Sequence, residues 1–168
     1  SNTTGLYGGG EYTDENRRKV VAEALDIDEK ILPTKPTLPY NVIIDKINSG
    51  EIKALWIVAT NPIVSWINNL DFKKAAEKLE FLVVQDIYSD TDTARYCDLF
   101  LPSTNGLKKE GVIINTERRL SKLDPVLPKM ENELSDYDIA LGIGEALGMG
   151  KLLDKWRTPE IAFNTIKQ

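Results

Sequence analysis

Histidine is absent from all 168 residues. Its absence removes the commonest general base, the commonest zinc ligand and every Ser-His or Cys-His nucleophile pair. Cysteine occurs once, as Cys97, which excludes an internal disulfide, a CxxC motif and an iron–sulfur ligand set. No apolar run approaches the roughly 18 residues that a membrane-spanning helix needs. The opening Ser1-Asn2-Thr3-Thr4-Gly5 lacks the basic and apolar regions of a signal peptide. With a single cysteine, this predicts a reducing, cytoplasmic setting. Positive charge is in deficit, 21 Lys and Arg against 26 Asp and Glu, for a net charge of −5. That balance argues against a nucleic-acid partner, since phosphate binding needs a basic face. The residues present make up no self-contained active site, and no catalytic or metal-ligating residue is assigned.

What is present is enough for one domain, at most with an appendage: 42% of residues are hydrophobic. A Gly-rich leader (Gly5, then Gly8-Gly9-Gly10) is followed by Asp14 as an N-cap and a helix over Glu15–Leu25, with Val20, Val21, Ala24 and Leu25 on one face. Pro33, Pro36 and Pro39 mark an extended connector that cannot be helical. Asn41–Asn48 reads as a helix stopped by Ser49-Gly50. The runs Ala54–Ala59 and Phe81–Val84 read as strands apolar on both faces, as in a parallel sheet. Leu70–Leu79 is a helix between them, Thr91–Tyr96 a short helix, Asp98–Pro102 a third strand and Gly111–Asn115 a fourth. Tyr137–Leu147 is a helix closed by Gly148, and Thr158-Pro159 starts the last one. The alternation predicts an α/β fold, a mostly parallel sheet with helices on both faces. The domain expectation is a leader, helix and connector over 1–39, an α/β domain over 40–150 and a helical extension over 151–168.

In such a sheet ligands sit beyond the carboxyl ends of the strands. Those positions are Thr60-Asn61-Pro62, Gln85-Asp86 and the loop Ser103–Lys109. Amide, carboxylate, hydroxyl and ammonium suit the N–H groups of a base, the hydroxyls of a ribose and a phosphate. They do not make a proton-transfer or nucleophile set. Asn, Asp and Asn-Pro are also ordinary turn formers, and the pattern alone leaves both readings open. Gly142-Ile143-Gly144 follows no strand and lies in a periodic apolar helix, so close packing is favoured over a phosphate loop. Glu117-Arg118-Arg119 fits a solvated turn with an internal ion pair better than a clamp for a phosphate or carboxylate, Trp56 and Trp66 read as core and rim aromatics, and Cys97 as an inert core residue.

Several strings, taken together, resemble one family. They are Ile52–Pro62, Leu79–Asp86, Thr91–Ala94 with Cys97–Pro102, Lys108–Gly111 with Asn115–Arg119, and Ser135–Ile139. Their order and spacing over about 40–150 resemble the molybdopterin-guanine-dinucleotide oxidoreductases, the family of nitrate reductases and formate dehydrogenases. Asn61–Trp66 and the leader Thr4–Gly9 lean towards the assimilatory nitrate reductase branch, although Gly10 stands where that branch carries arginine.

The resemblance implies a Rossmann-like three-layer α/β domain, as in the dinucleotide-binding domains of those enzymes. It implies a molybdenum bis(molybdopterin guanine dinucleotide) cofactor in a parent enzyme that reduces nitrate to nitrite. This segment would hold one guanine dinucleotide arm. Asn61, Gln85, Asp86, Lys109 and Asp136 fall on cofactor-contacting positions, and Gly8 and Gly9 on a Gly-rich stretch near the pterin. An iron–sulfur cluster and the molybdenum ligand would lie outside this segment, and Cys97 matches neither. The implied partners are the remaining domains of the same chain and an electron donor protein or subunit. Two other readings stand beside this one: the same domain in a formate dehydrogenase, and a non-catalytic α/β nucleotide-binding or interaction module.

Overall fold

A computed structural model describes residues 6, 10–67, 69–117 and 119–167. The glycines at 8 and 9 lie outside the described residues. The chain divides into two compact units, residues 1–43 and 44–168.

In the first unit, helix α1 (Glu15–Leu25) starts where the Asp14 carboxylate accepts the Arg17 N–H at 3.1 Å. This supplies one of the acceptors that a helix start lacks. Its buried residues are Val21 and Ala22, and Val21 packs with Leu6, Tyr12, Leu25 and Leu32. The expected face is corrected here: Val20 and Ala24 are exposed, because the apolar partners approach the Val21–Leu25 side. Arg18 ties this unit together by donating to the Tyr12 carbonyl at 2.6 Å and pairing with Glu29 at 3.4 Å. Residues 32–39, with the three prolines, form neither helix nor strand. Helix α2 (Tyr40–Asn48) follows and contains the division between the units. It ends at Gly50, whose φ of 77° an L side chain rarely adopts.

The second unit is built on a parallel three-stranded sheet in the order β1 (Ala54–Val58), β2 (Phe81–Asp86), β3 (Leu99–Pro102). In register, Ile57 faces Val84, Trp56 faces Val83 and Val83 faces Leu99. Between β1 and β2 lie α3 (Pro62–Ser65) and α4 (Asn69–Ala76). The short helix α3 is not foreseen by the sequence pattern, in which Asn61-Pro62 only ends a strand. Pro62 instead takes the first helical position, where its missing N–H costs nothing. Helix α4 stops at Ala76, short of Leu79, as Lys78 and Leu79 tighten to bonds three residues back. The core draws on Ile44, Ile47, Ile57, Phe72, Ala75, Ala76, Leu82 and Val84.

Side chains alternate across a strand, so the two apolar faces of the sheet separate cleanly. Ile57, Leu82 and Val84 are buried, whereas Trp56, Val58, Phe81 and Leu99 are each at least 42% exposed. The strands are apolar on both faces as expected, but the described elements leave the second face half open.

The fourth expected strand, β4 (Gly111–Ile114), does not join this sheet. It pairs antiparallel with β5 (Leu120–Leu123), which the sequence pattern did not reveal. Five residues connect the two, and Asn115 accepts from the Glu117 and Arg119 N–H groups within that connection. A connection so short permits an antiparallel hairpin but no parallel crossover. Helix α5 (Asp136–Ala146) opens on a capping box formed by Ser135 and Asp138. Gly144 on this helix lies so close to Leu153 that a Cβ would come within 2.9 Å of its Cδ1. Gly144 therefore serves close packing, whereas a Cβ on Gly142 would meet nothing within 4 Å. Helix α6 (Pro159–Lys167) starts with Thr158 accepting from the Ile161 N–H. No helix among the described residues is long and apolar enough to cross a membrane.

Candidate functional site

The carboxyl end of β2 delivers Gln85 and Asp86 side by side. Their side chains alternate across the strand, which sends them to different surroundings. Gln85 is 1% exposed and donates its amide to the Asp136 carboxylate at 2.8 Å. Asp86 is half-buried and accepts from the Ile87 and Tyr88 N–H groups at 2.7 and 3.2 Å. Both bonds go to one oxygen, in the manner of an Asx turn.

The loop after β3 approaches the same place. The Ser103 N–H donates to the Asp86 carbonyl at 3.0 Å. Asn105 accepts from the Leu107 N–H and shapes the turn that brings Lys109 round. Lys109 forms an ion pair with Asp136, which occupies the first position of α5. Three of the sequence-predicted site residues thus form one chain, Gln85–Asp136–Lys109, although Gln85 and Lys109 lie 51 and 27 residues from Asp136. A cavity of about 290 Å³ opens beside it, lined by Ala59, Asp86, Ile87, Tyr88, Ser103, Gly106, Lys109 and Asp136.

The electrostatics follow from this geometry. Burial raises the Asp136 carboxyl, but hydrogen bonds from Lys109, Gln85 and Ser103 outweigh it and hold the group below its ordinary value. Asp138 is treated alike: burial raises it, while Lys129 and Ser135 lower it further. The buried Gln85 Oε1 and Thr104 Oγ1 have no hydrogen-bond partner among the described residues. An unpaired buried acceptor costs about 1–3 kcal/mol. Such atoms are few in native structures, and an ordered water or a ligand can complete them.

Asn61 is placed apart from the cavity lining. Its side-chain oxygen accepts from the Thr93 N–H at 3.2 Å and the Thr93 hydroxyl at 2.6 Å, with Thr93 fully buried. The Thr93 hydroxyl in turn accepts from the Ile63 N–H at 3.3 Å. This bonding holds the start of α3 against the segment after β2, which is the turn role weighed for Asn61 above. Ala59, Ile87 and Tyr88 line the cavity without having been singled out. An alanine carries no polar signal, although Ala59 holds a φ of 52° and follows β1 directly. Tyr88 follows Gln85-Asp86 by two residues, and that position was its one available signal.

A larger hollow of about 590 Å³ lies between α2 and α4, lined by Ile44, Asp45, Asn48, Asp71, Lys74, Glu77 and Lys78. Apart from the buried Ile44, its walls are exposed side chains, charged with both signs, and Lys78 donates to Asn48 at 2.7 Å. It lacks the convergent, buried polar groups of a binding site. Among the described residues no cluster of three or more His, Cys, Asp or Glu side chains is placed to hold a metal ion.

The fold and the site together define a mixed α/β protein with a polar cavity at the carboxyl ends of parallel strands. The family model for molybdopterin oxidoreductase matches residues 5–146, and the chain belongs to that family. Among curated relatives, the assimilatory nitrate reductase catalytic subunit of Bacillus subtilis (strain 168) is 32% identical over 155 residues, 92% of this chain and 21% of that protein. An F420-dependent formate dehydrogenase subunit alpha of Methanocaldococcus jannaschii is 37% identical over 121 residues, 71% of this chain and 18% of that protein. The acetylene hydratase from Pelobacter acetylenicus superposes with a TM-score of 0.63 at 17% identity, over 74% of this chain and 18% of that one, a likeness of fold. The chain thus spans about a fifth of the length of these relatives.

Proposed function

We propose that this chain is the domain of a molybdenum oxidoreductase, of the nitrate-reducing kind, that holds one guanine dinucleotide arm of a bis(molybdopterin guanine dinucleotide) cofactor. The observation carrying the reading is the cavity at the strand ends, where Asp86, Lys109 and Asp136 meet. The donor set fits the group. A carboxylate such as Asp86 accepts from ribose hydroxyls, an ammonium such as Lys109 meets a diphosphate, and Gln85 Oε1 is a buried acceptor without a partner among the described residues. When bound, the cofactor supplies the redox chemistry of nitrate reduction. The chain's own residues bind and orient. Asn61 shapes the loop after β1 through Thr93. The Gly-rich stretch with Gly8 and Gly9 belongs to this proposal through family resemblance alone. The remaining domains, an electron donor protein, an iron–sulfur cluster carried elsewhere and a cytoplasmic location belong to the same proposal.

The test is Asp86→Ala in the full-length protein, with molybdenum and released guanine nucleotide measured per mole of folded protein. Both should fall severalfold while the thermal transition is kept. Unchanged cofactor content would overturn the assignment. A second reading, a formate dehydrogenase, is supported by relatives of that name at similar identity. Turnover of formate in place of nitrate by the intact enzyme would decide for it.

A further inference from the structure

The loop after β3 carries two adjacent lysines with different surroundings. Lys109 lines the strand-end cavity, together with Ser103 and Gly106 of the same loop. Lys108 is turned to the chain that follows β5. Its ammonium donates to both carboxylate oxygens of Glu133, at 2.6 and 2.7 Å, and the two side chains are only 17% and 23% exposed. Water and salt screen such a pair less than one on an open surface. Glu133 also accepts the Met130 N–H at 2.9 Å. Lys108 and this N–H keep its carboxyl below the ordinary value, so it is charged at neutral pH.

Residues 124–135 form neither helix nor strand, yet they are fastened to the loop at three points. The Val126 and Leu127 N–H groups both donate to the Leu107 carbonyl, at 2.8 and 3.0 Å. The Thr104 N–H donates to the Leu134 carbonyl at 2.9 Å. The third point is the Lys108–Glu133 pair, made by side chains. Along the loop, the fastened residues 104, 107 and 108 interleave with the cavity-lining residues 103, 106 and 109. A loop outside a regular ladder keeps its shape through ties of this kind.

We propose that Lys108 and Glu133 are positioning residues, whose ion pair pins the loop after β3 from behind and so presents Ser103, Gly106 and Lys109 to a bound nucleotide that neither member of the pair touches. The proposal rests on the reading of the cavity as a nucleotide site. Glu133→Gln separates this role from a direct one by sign. A Lys108 that gripped phosphate would be freed by that substitution and would hold the nucleotide longer. A Lys108 that pins the loop loses its anchor, and the nucleotide leaves sooner.

The experiment uses the full-length protein as purified. Guanine nucleotide is assayed after denaturation, and its half-time of release is followed from the folded protein. Lys108→Met and Glu133→Gln should each release the nucleotide ~2- to 5-fold faster, the scale of a modest ion pair. The double variant should release it no faster than either single, because one interaction is lost in all three. Lys108→Arg keeps the pair and should release it at the unmutated rate, a rescue that a role in packing alone would not give. Slower release in Glu133→Gln overturns the proposal, as do additive effects in the double variant or an unmutated rate in both singles. Glu133→Gln keeps the shape and an acceptor for the Met130 N–H, so the test stands even where Lys108→Met fails to fold. Purified protein without guanine nucleotide overturns the nucleotide reading itself and the proposal with it.

Discussion

Ala59 is a residue in conflict with its backbone. Its φ of 52° lies in the left-handed region, where a Cβ crowds the following carbonyl. Its N–H nevertheless donates to the Gln85 carbonyl at 2.9 Å, and the residue lines the cavity. Strain of this kind gathers at ligand-binding loops. Relief of about 1–2 kcal/mol by glycine is partly offset by about 0.4–1 kcal/mol of added freedom in the unfolded chain. Ala59→Gly should therefore raise stability slightly, and Ala59→Val should lower it clearly, as read by urea unfolding. A marked loss in Ala59→Gly would show that the strain argument is wrong. Other single residues were legible. Asp14 caps α1 because a short acceptor before an apolar periodic run has few other uses. Gln85 and Asp86 stand out by ending an apolar strand. Ala59 and Tyr88 did not, since neither residue type announces a site.

At the scale of elements, local chemistry set the helix starts. Ser135 accepts the Asp138 N–H at 3.2 Å, and the Asp138 carboxylate accepts the Ser135 N–H at 2.8 Å. Ser135→Ala removes half of this box and should cost about 1 kcal/mol, seen as a lower denaturant midpoint with an unchanged slope. The same substitution should loosen Asp136, which begins the helix this box caps. No change in midpoint would mean that tertiary contacts alone hold the helix start. Four of the five strands among the described residues were legible as strands, but the partner of the fourth was not. Gly111–Ile114 has the composition of a buried strand, and only the tight turn at Asn115 directs it to Leu120–Leu123. Leu120–Leu123 reads Leu-Ser-Lys-Leu, a pattern too short and mixed to announce itself before its partner is known. The buried face of α1 was misjudged by one residue for a similar reason. Periodicity gives a stripe, and the arriving partners Leu6, Tyr12 and Leu32 choose which edge of it is covered.

The whole molecule carries a net charge of −5 and responds to acid through its paired carboxylates. Asp136 and Asp138 are both held below the ordinary 3.8, burial opposing and the Lys109 and Lys129 hydrogen bonds prevailing. A depressed folded value means that the stabilisation is present above the unfolded value and is lost as pH falls through the folded one. The melting temperature should therefore hold from about pH 7 to 5 and decline below about pH 4. The Asp136→Asn, Asp138→Asn double variant should flatten that decline, and an unchanged acid limb would show that other groups govern it. The sheet has one closed face and one on which Trp56, Val58, Phe81 and Leu99 remain half exposed. The strand sequences alone could not distinguish those faces, because both are apolar.

The sequence by itself determined what depends on neighbours along the chain: the helix caps, the proline connector, the apolar strands and their polar ends. These are set by interactions within a few residues, so they can be read before the chain folds. Its strings also resembled the family to which the chain belongs. Only the tertiary structure decided that Gln85, Lys109 and Asp136 meet, while Asn61 turns away to Thr93. It also decided that β4 leaves the sheet for a hairpin. The reason is the same in each case. Contacts across 27, 32 or 51 residues depend on where crossovers and turns return the chain, and nearby residues carry no mark of that.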